Sequence, residues 1–194
     1  MTSRRASIST CALVVAVVLA GSRLEGQDLH QAGAPRSALL YHDSASFFVD
    51  PPRGWIVDAS EVARAQGPIA LFYRRGESWR WGDAVMYANV ITLVGTDSDA
   101  LPKTIRAEVA RWSAAGDAVV TSLPDIRTKT GPVASVRKFV SPSRRTREAV
   151  AYVRQGSVVP LLVLVARTDS AFASSYDDFE RLVKSYGPGP VIKR

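Results

Sequence analysis

The chain has 194 residues, 46% of them hydrophobic and 22% charged, a balance that excludes a disordered or fibrous chain and fits a globular domain. It carries a formal net charge of +7 but only one cysteine and two histidines. That scarcity argues against disulfide scaffolding, zinc held by nitrogen and sulfur, and Ser-His-Asp or Cys-His catalysis.

The first 26 residues read as an export signal. Arg4 and Arg5 form a basic start, Cys11 to Ala20 is an uncharged apolar run, and Ala20-Gly21-Ser22 supplies small residues for cleavage. The run is about half of the roughly 20 residues that a spanning helix needs, so no stable membrane anchor is expected after cleavage. Cys11 opens the apolar run instead of following it, which argues against lipidation and leaves the mature chain without cysteine. The Ser3-Arg4-Arg5 start fits either general or twin-arginine export. Loss of Arg4, Arg5, Arg23 and Glu25 takes the net charge from +7 to +5. A periplasmic or extracellular protein is expected. Residues 27–45, interrupted by Gly and Pro and holding His30 and His42, read as a flexible segment. A single domain is expected over 46–187, with a tail at 188–194.

The domain opens at Ser46, where Phe47 to Trp55 (FFVDPPRGW) reads as a strand stopped by Pro51-Pro52 and a turn at Gly54. Asp58 and Glu61 resemble a capping box, predicting a short helix to Gln66 that ends at Gly67-Pro68. Strands are predicted at Ile69 to Arg74 and Ala84 to Val94, separated by the loop RGESWRWGD at 75–83. Leu101, Ile105, Val109 and Trp112 form one helical stripe, with Asp97 and Asp99 at its amino end, Pro102 in the first turn and Gly116 as the stop. Strands AVVTSL (118–123), VASVRKFV (133–140) and REAVAYVRQ (147–155) follow, the last two joined by SPSRRT. Ser157 to Ala166 (SVVPLLVLVA) is apolar on both faces and reads as a central strand covered on both sides. Asp169 is expected to cap a final helix with Phe172, Tyr176, Phe179, Val183 and Tyr186 buried, ended by GPGP.

Hairpin-length links call for antiparallel pairing, and a strand apolar on both faces calls for helices on both sides. The predicted class is α+β: a three-layer α-β-α sandwich on a largely antiparallel central sheet. FFVDPPRGW, the long strand after a short helix, the paired strands REAVAYVRQ and SVVPLLVLVA, and the closing helix FASSYDDFERLVKSY together resemble the PsbP-like superfamily. The resemblance spans roughly Ser46 to Tyr186. It implies this fold and, since members of the superfamily mostly act as adaptor or assembly subunits without a shared catalytic motif, a binding role.

Two surface segments are candidates for that role. In RGESWRWGD, Trp79 and Trp81 flank Arg80; in an extended loop both indoles point the same way and form a platform, whereas rings folded back would instead form a lid on the sheet. In SPSRRTRE, Arg144, Arg145 and Arg147 form either an anion grip or a solvated turn. The binding set is therefore Trp79, Arg80, Trp81 and Arg145, with no catalytic residue, metal or cofactor expected. Nucleic-acid binding does not follow, because stacking and basic residues lie in separate loops. Asp97-Ser-Asp99 lacks the remaining ligands of a calcium loop, and Asp177-Asp178 is placed on a solvated helix face. The expected function is a non-enzymatic adaptor for an envelope protein or an anionic envelope polymer. The alternatives are a carrier of a small or polymeric anionic ligand and a carboxylate-dependent hydrolase.

Overall fold

The computed structural model describes residues 37–114 and 118–190. The expected export signal, the start of the expected flexible segment, the Gly116 stop and residues 191–194 lie outside the described residues. In chain order the elements are β1 (Ala38–His42), β2 (Ala45–Val49), β3 (Trp55–Asp58), α1 (Glu61–Arg64), β4 (Ala70–Arg74), β5 (Ala84–Thr92) and α2 (Ala100–Ala114). They continue with β6 (Val119–Arg127), β7 (Val133–Ser141), β8 (Thr146–Val153), β9 (Val158–Ala166), α3 (Asp169–Lys184) and β10 (Gly187–Pro188).

The seven-stranded sheet has the order β3-β4-β5-β9-β8-β7-β6, with every neighbouring pair antiparallel. β9 lies at its centre, as its two-sided apolar pattern requires. Leu162 and Leu164 join Phe172, Phe179 and Leu182 of α3 in one core. Val159, Leu161 and Val163 join Ile105 of α2 in the other, with Val109 and Trp112 packed against it. The expected three-layer α-β-α sandwich on an antiparallel sheet is the observed architecture.

Several local expectations are corrected. Ala38–His42, expected in the flexible segment, pairs antiparallel with β2, and Leu40 is buried. Trp55–Asp58, between the Gly54 turn and the short helix, is an edge strand paired with β4 that the expected element order lacks. The cap of α1 is Ser60, whose side chain accepts from the Ala63 N–H, while Asp58 accepts from the Ser60 N–H at 3.0 Å. α3 is capped by Thr168, which accepts from the Ala171 N–H at 3.0 Å and leaves Asp169 as the first helical residue. β6 runs past its expected end at Leu123 to Arg127, with a register shift between Leu123 and Ile126 that accommodates Pro124 on an edge strand.

The expected tail is also partly structural. Gly187 and Pro188 pair with Phe48 and Phe47, the Gly189 N–H donates to Ser46 O at 2.8 Å, and Ser46 Oγ donates to Pro190 O at 2.6 Å. A Cβ on Gly189 would meet the Ser46 carbonyl carbon at 2.8 Å and the Phe47 nitrogen at 2.9 Å. Both are backbone atoms of a paired strand, so neither can swing away. Gly189→Ala is expected to destabilise the domain by roughly 1–3 kcal/mol, measured by chemical denaturation. An unchanged midpoint would show that this closure contributes nothing to the fold.

Candidate functional site: an arginine-rich end of the sheet

Antiparallel pairing brings several chain reversals to one end of the main sheet. Trp55 pairs with Arg74, Ala84 with Ala166, Ala166 with Arg147, and Thr146 with Ser141. That end therefore gathers the turn before β3, the loop between β4 and β5, the β9–α3 link and the β7–β8 hairpin. Arg53, Arg74, Arg75, Arg80, Arg144, Arg145, Arg147 and Arg167 all belong to these segments, against the exposed acids Glu77, Asp83 and Asp169.

The loop at 75–83 is not extended. The Trp81 and Gly82 N–H groups both donate to Ser78 O, at 3.3 and 2.8 Å, so Trp79 to Trp81 form a turn and the alternation that would aim both indoles the same way is absent. Trp79 is half-buried with the Arg80 guanidinium 4.9 Å from its ring centre, whereas Trp81 is 69% exposed. Arg167 fixes the loop to the sheet: its N–H donates to Asp83 O at 3.0 Å and its Nη2 to Arg80 O at 2.7 Å. Sequence reasoning passed over Arg167, whose only signal was its position directly after the central strand.

The hairpin arginines divide into different roles. Arg147 donates through Nε and Nη2 to the two carboxylate oxygens of Asp169, at 2.8 and 3.0 Å, and through Nη1 to Arg167 O at 3.2 Å. The Arg147 hydrogen bond holds the Asp169 carboxyl below the usual carboxylate range. Arg147 is thus a structural tie rather than part of an anion grip. Arg144 lies over Trp112, 5.2 Å from its ring centre. Arg145 is exposed and has φ +52°, a left-handed conformation that costs a non-glycine residue roughly 1 kcal/mol.

The other singled-out groups lie away from this loop or are already engaged. Asp97 accepts from Lys103 Nζ at 2.6 Å, and that hydrogen bond lowers its pKa. His42 ends β1, with its Nδ1 2.9 Å from Ser44 Oγ. Asp178, expected on a solvated face, is 18% exposed and accepts from Trp55 Nε1 at 2.9 Å and Arg181 Nη1 at 2.5 Å. Glu148 faces the α2 side of the sheet, 8% exposed, and burial pushes its carboxyl up to about 7 against the opposing pull of Arg144. Among the described residues no group of three or more His, Cys, Asp or Glu side chains is placed to hold a metal, and no described helix is long and apolar enough to cross a membrane.

Two concavities flank the sheet. An apolar groove of about 460 Å³ lies between α2 and β7, lined by Leu101, Ile105 and Val109 with Arg106 and Arg137. A polar cavity of about 300 Å³ lies at the arginine-rich end, lined by Arg53, Gly54, Trp55, Arg74, Arg75 and Asp178.

The structure is similar to that of cyanobacterial PsbP (CyanoP) from Synechocystis sp. PCC 6803, at 14% identity over 83% of this chain and 99% of that chain, with a TM-score of 0.47. It is also similar to the Ran-binding protein Mog1p of Saccharomyces cerevisiae, at 11% identity over 78% of this chain and 94% of that chain, with a TM-score of 0.46. A protein of unknown function from Pseudomonas aeruginosa is similar at 8% identity over 81% of this chain and 100% of that chain, with a TM-score of 0.43. No family model matches the chain, and no curated protein matches it. At these identities the likeness to solved structures is one of fold.

Proposed function

We propose that this chain is an exported, non-enzymatic binding or adaptor domain that docks an envelope protein or an anionic envelope polymer on the arginine-rich end of its sheet. Export rests on the amino-terminal pattern of Arg4, Arg5 and the apolar run to Ala20. The observation that carries the docking surface is Trp81: a large indole, 69% exposed, on a loop that Arg167 pins to the sheet. Interfaces draw most of their energy from a few Trp, Tyr and Arg anchors, and a pinned loop presents such an anchor with little ordering cost. Arg80, stacked on Trp79, and Arg145 at the hairpin tip supply the positive charge around it. Arg145 holds a strained backbone that glycine would adopt at lower cost, which fits a side chain retained for contact.

The test is affinity capture of the partner from the envelope fraction, followed by quantitative binding of variants. Trp81→Ala is expected to weaken binding by about 1–3 kcal/mol while the melting temperature stays within a degree or two, because the ring is not part of the core. Arg145→Ala should weaken it less and make it less sensitive to salt. A folded Trp81→Ala protein that binds at wild-type affinity would retire this surface.

A further inference from the structure

We propose that the cavity between the β3 and β4 turns is a binding site for a small ligand bearing an oxyanion, a phosphate or a carboxylate. This site shares Arg75 and Gly76 with the start of the loop that carries Trp81 but is lined by Arg53, Trp55 and Arg74 instead of Trp81 and Arg145, and it does not depend on the docking role proposed for those two residues. It is assembled by two matching turns. Pro52 to Trp55 closes through Trp55 N–H to Pro52 O at 3.0 Å, and Arg74 to Glu77 closes through Glu77 N–H to Arg74 O at 2.9 Å. Gly54 and Gly76 both have φ +86° at the third position, which such turns require. Each turn therefore presents an arginine, Arg53 or Arg75, at its second position, and the Arg75 N–H donates to Gly54 O at 2.8 Å to hold the two turns side by side.

Arg74 forms the fixed wall. Its guanidinium lies 5.5 Å from the centre of the Trp55 ring, and its Nη2 donates to Ser174 O and Ser175 Oγ, both at 3.2 Å. Its Nε–H is buried without a hydrogen-bond partner. The one carboxylate in the lining, Asp178, accepts from Trp55 Nε1 and Arg181 Nη1, and its Oδ2 lies 3.9 Å from Arg74 Nη2 in an ion pair. Among the described residues neither Arg53 nor Arg75 forms an ion pair. The unpaired Arg53 and Arg75, together with Arg74, whose only ion pair is the 3.9 Å contact with Asp178, thus surround a cavity of about 300 Å³ that holds a single carboxylate. Planar guanidinium forks match carboxylate and phosphate oxygens, and an arriving oxyanion relieves the repulsion among like charges held close together.

The experiment is a titration of the purified protein with sodium phosphate and, separately, sodium acetate, with ionic strength held constant by chloride. Binding is followed through the Trp55 indole N–H and the Gly54 and Gly76 amide resonances. Saturable shifts at these three positions with either oxyanion support the site, and the arm that saturates identifies the preferred group. The double variant Arg53→Ala, Arg75→Ala, both exposed at turns, should weaken binding at least tenfold with unchanged melting temperature, since each charged hydrogen bond lost is worth about tenfold or more. Trp81→Ala and Arg145→Ala should leave the titration unchanged, which separates this site from the docking surface. Equal shifts in the chloride control, or wild-type affinity in the double arginine variant, would overturn the proposal.

Discussion

Phe179→Ala is expected to cost about 3–5 kcal/mol of folding free energy, among the largest losses available to a single substitution in this chain. Phe179 is fully buried on the inner face of α3, with its ring centre 5.8 Å from that of Tyr176, in the core that includes Leu162 and Leu164 of the central strand. A truncated side chain there leaves a void that a helix tied at both ends cannot close. Thr168 caps the amino end, and at the carboxyl end the Asp50 N–H donates to Ser185 Oγ at 2.8 Å. In a domain of this size the loss corresponds to a melting temperature lower by roughly 6 to 20 °C. Asp177→Ala, on the exposed side of the same helix, should stay within about 0.5 kcal/mol. A Phe179→Ala loss below about 1 kcal/mol would mean that α3 is not packed on the sheet as described. The same helix supplies Ser174 O, Ser175 Oγ and Asp178 to the wall of the arginine cavity. Oxyanion affinity should therefore fall along with stability in this variant.

The parts of the fold that were legible in the sequence are those whose pattern repeats. Ser157 to Ala166 carries apolar residues on both faces, and only a central strand between two helical layers buries both. Phe172, Phe179 and Val183 recur at helical spacing, and they are buried as that spacing implies. The misplaced features depend on single backbone angles. Thr168 and Asp169 are both competent caps, and it is the extended conformation of Thr168, φ −132° and ψ 161°, that makes it the cap. β3 is only four residues long and lies between a turn and a capping serine, too short to show alternation. Missing β3 also hid the arginine cavity, because Arg53 and Arg75 are 22 positions apart in the chain and meet only through the Trp55–Arg74 pairing. The tryptophan loop reads as a surface feature in the sequence, but its conformation does not, because Ser78 O gathers two N–H groups into a turn in place of the extended loop that the alternation implies.

Glu148 is expected to make the protein lose stability as pH rises through neutrality, opposite to the behaviour of most carboxylates. It sits on β8 opposite Phe139 of β7 and Val165 of β9, and burial pushes its pKa from an ordinary 4.5 to about 7. Below pH 4.5 the folded and unfolded chains both hold this proton, so the group costs nothing. Between 4.5 and about 7 the unfolded chain releases the proton while the folded chain keeps it, and stability falls; above about 7 the loss is complete, at about 3 kcal/mol. Arg144 is the charge that opposes the shift. Across the sheet, Tyr87 and Tyr152 face the same region, each with its phenol raised above the ordinary 10.0 by burial, so both stay neutral over this range. Glu108 of α2 adds to the shifts of these two tyrosines. The exposed carboxyls of Asp97 and Asp169 are lowered by Lys103 and Arg147, so their contribution is lost only as pH falls below the usual carboxylate range. Their window and sign therefore differ from those of Glu148. Urea denaturation should find the protein about 2 kcal/mol less stable at pH 8 than at pH 5.5. Glu148→Gln keeps the shape of the side chain but removes its ionisation, so it should flatten this slope and make the variant the more stable protein at pH 8. A slope that survives Glu148→Gln would assign the pH dependence to another group.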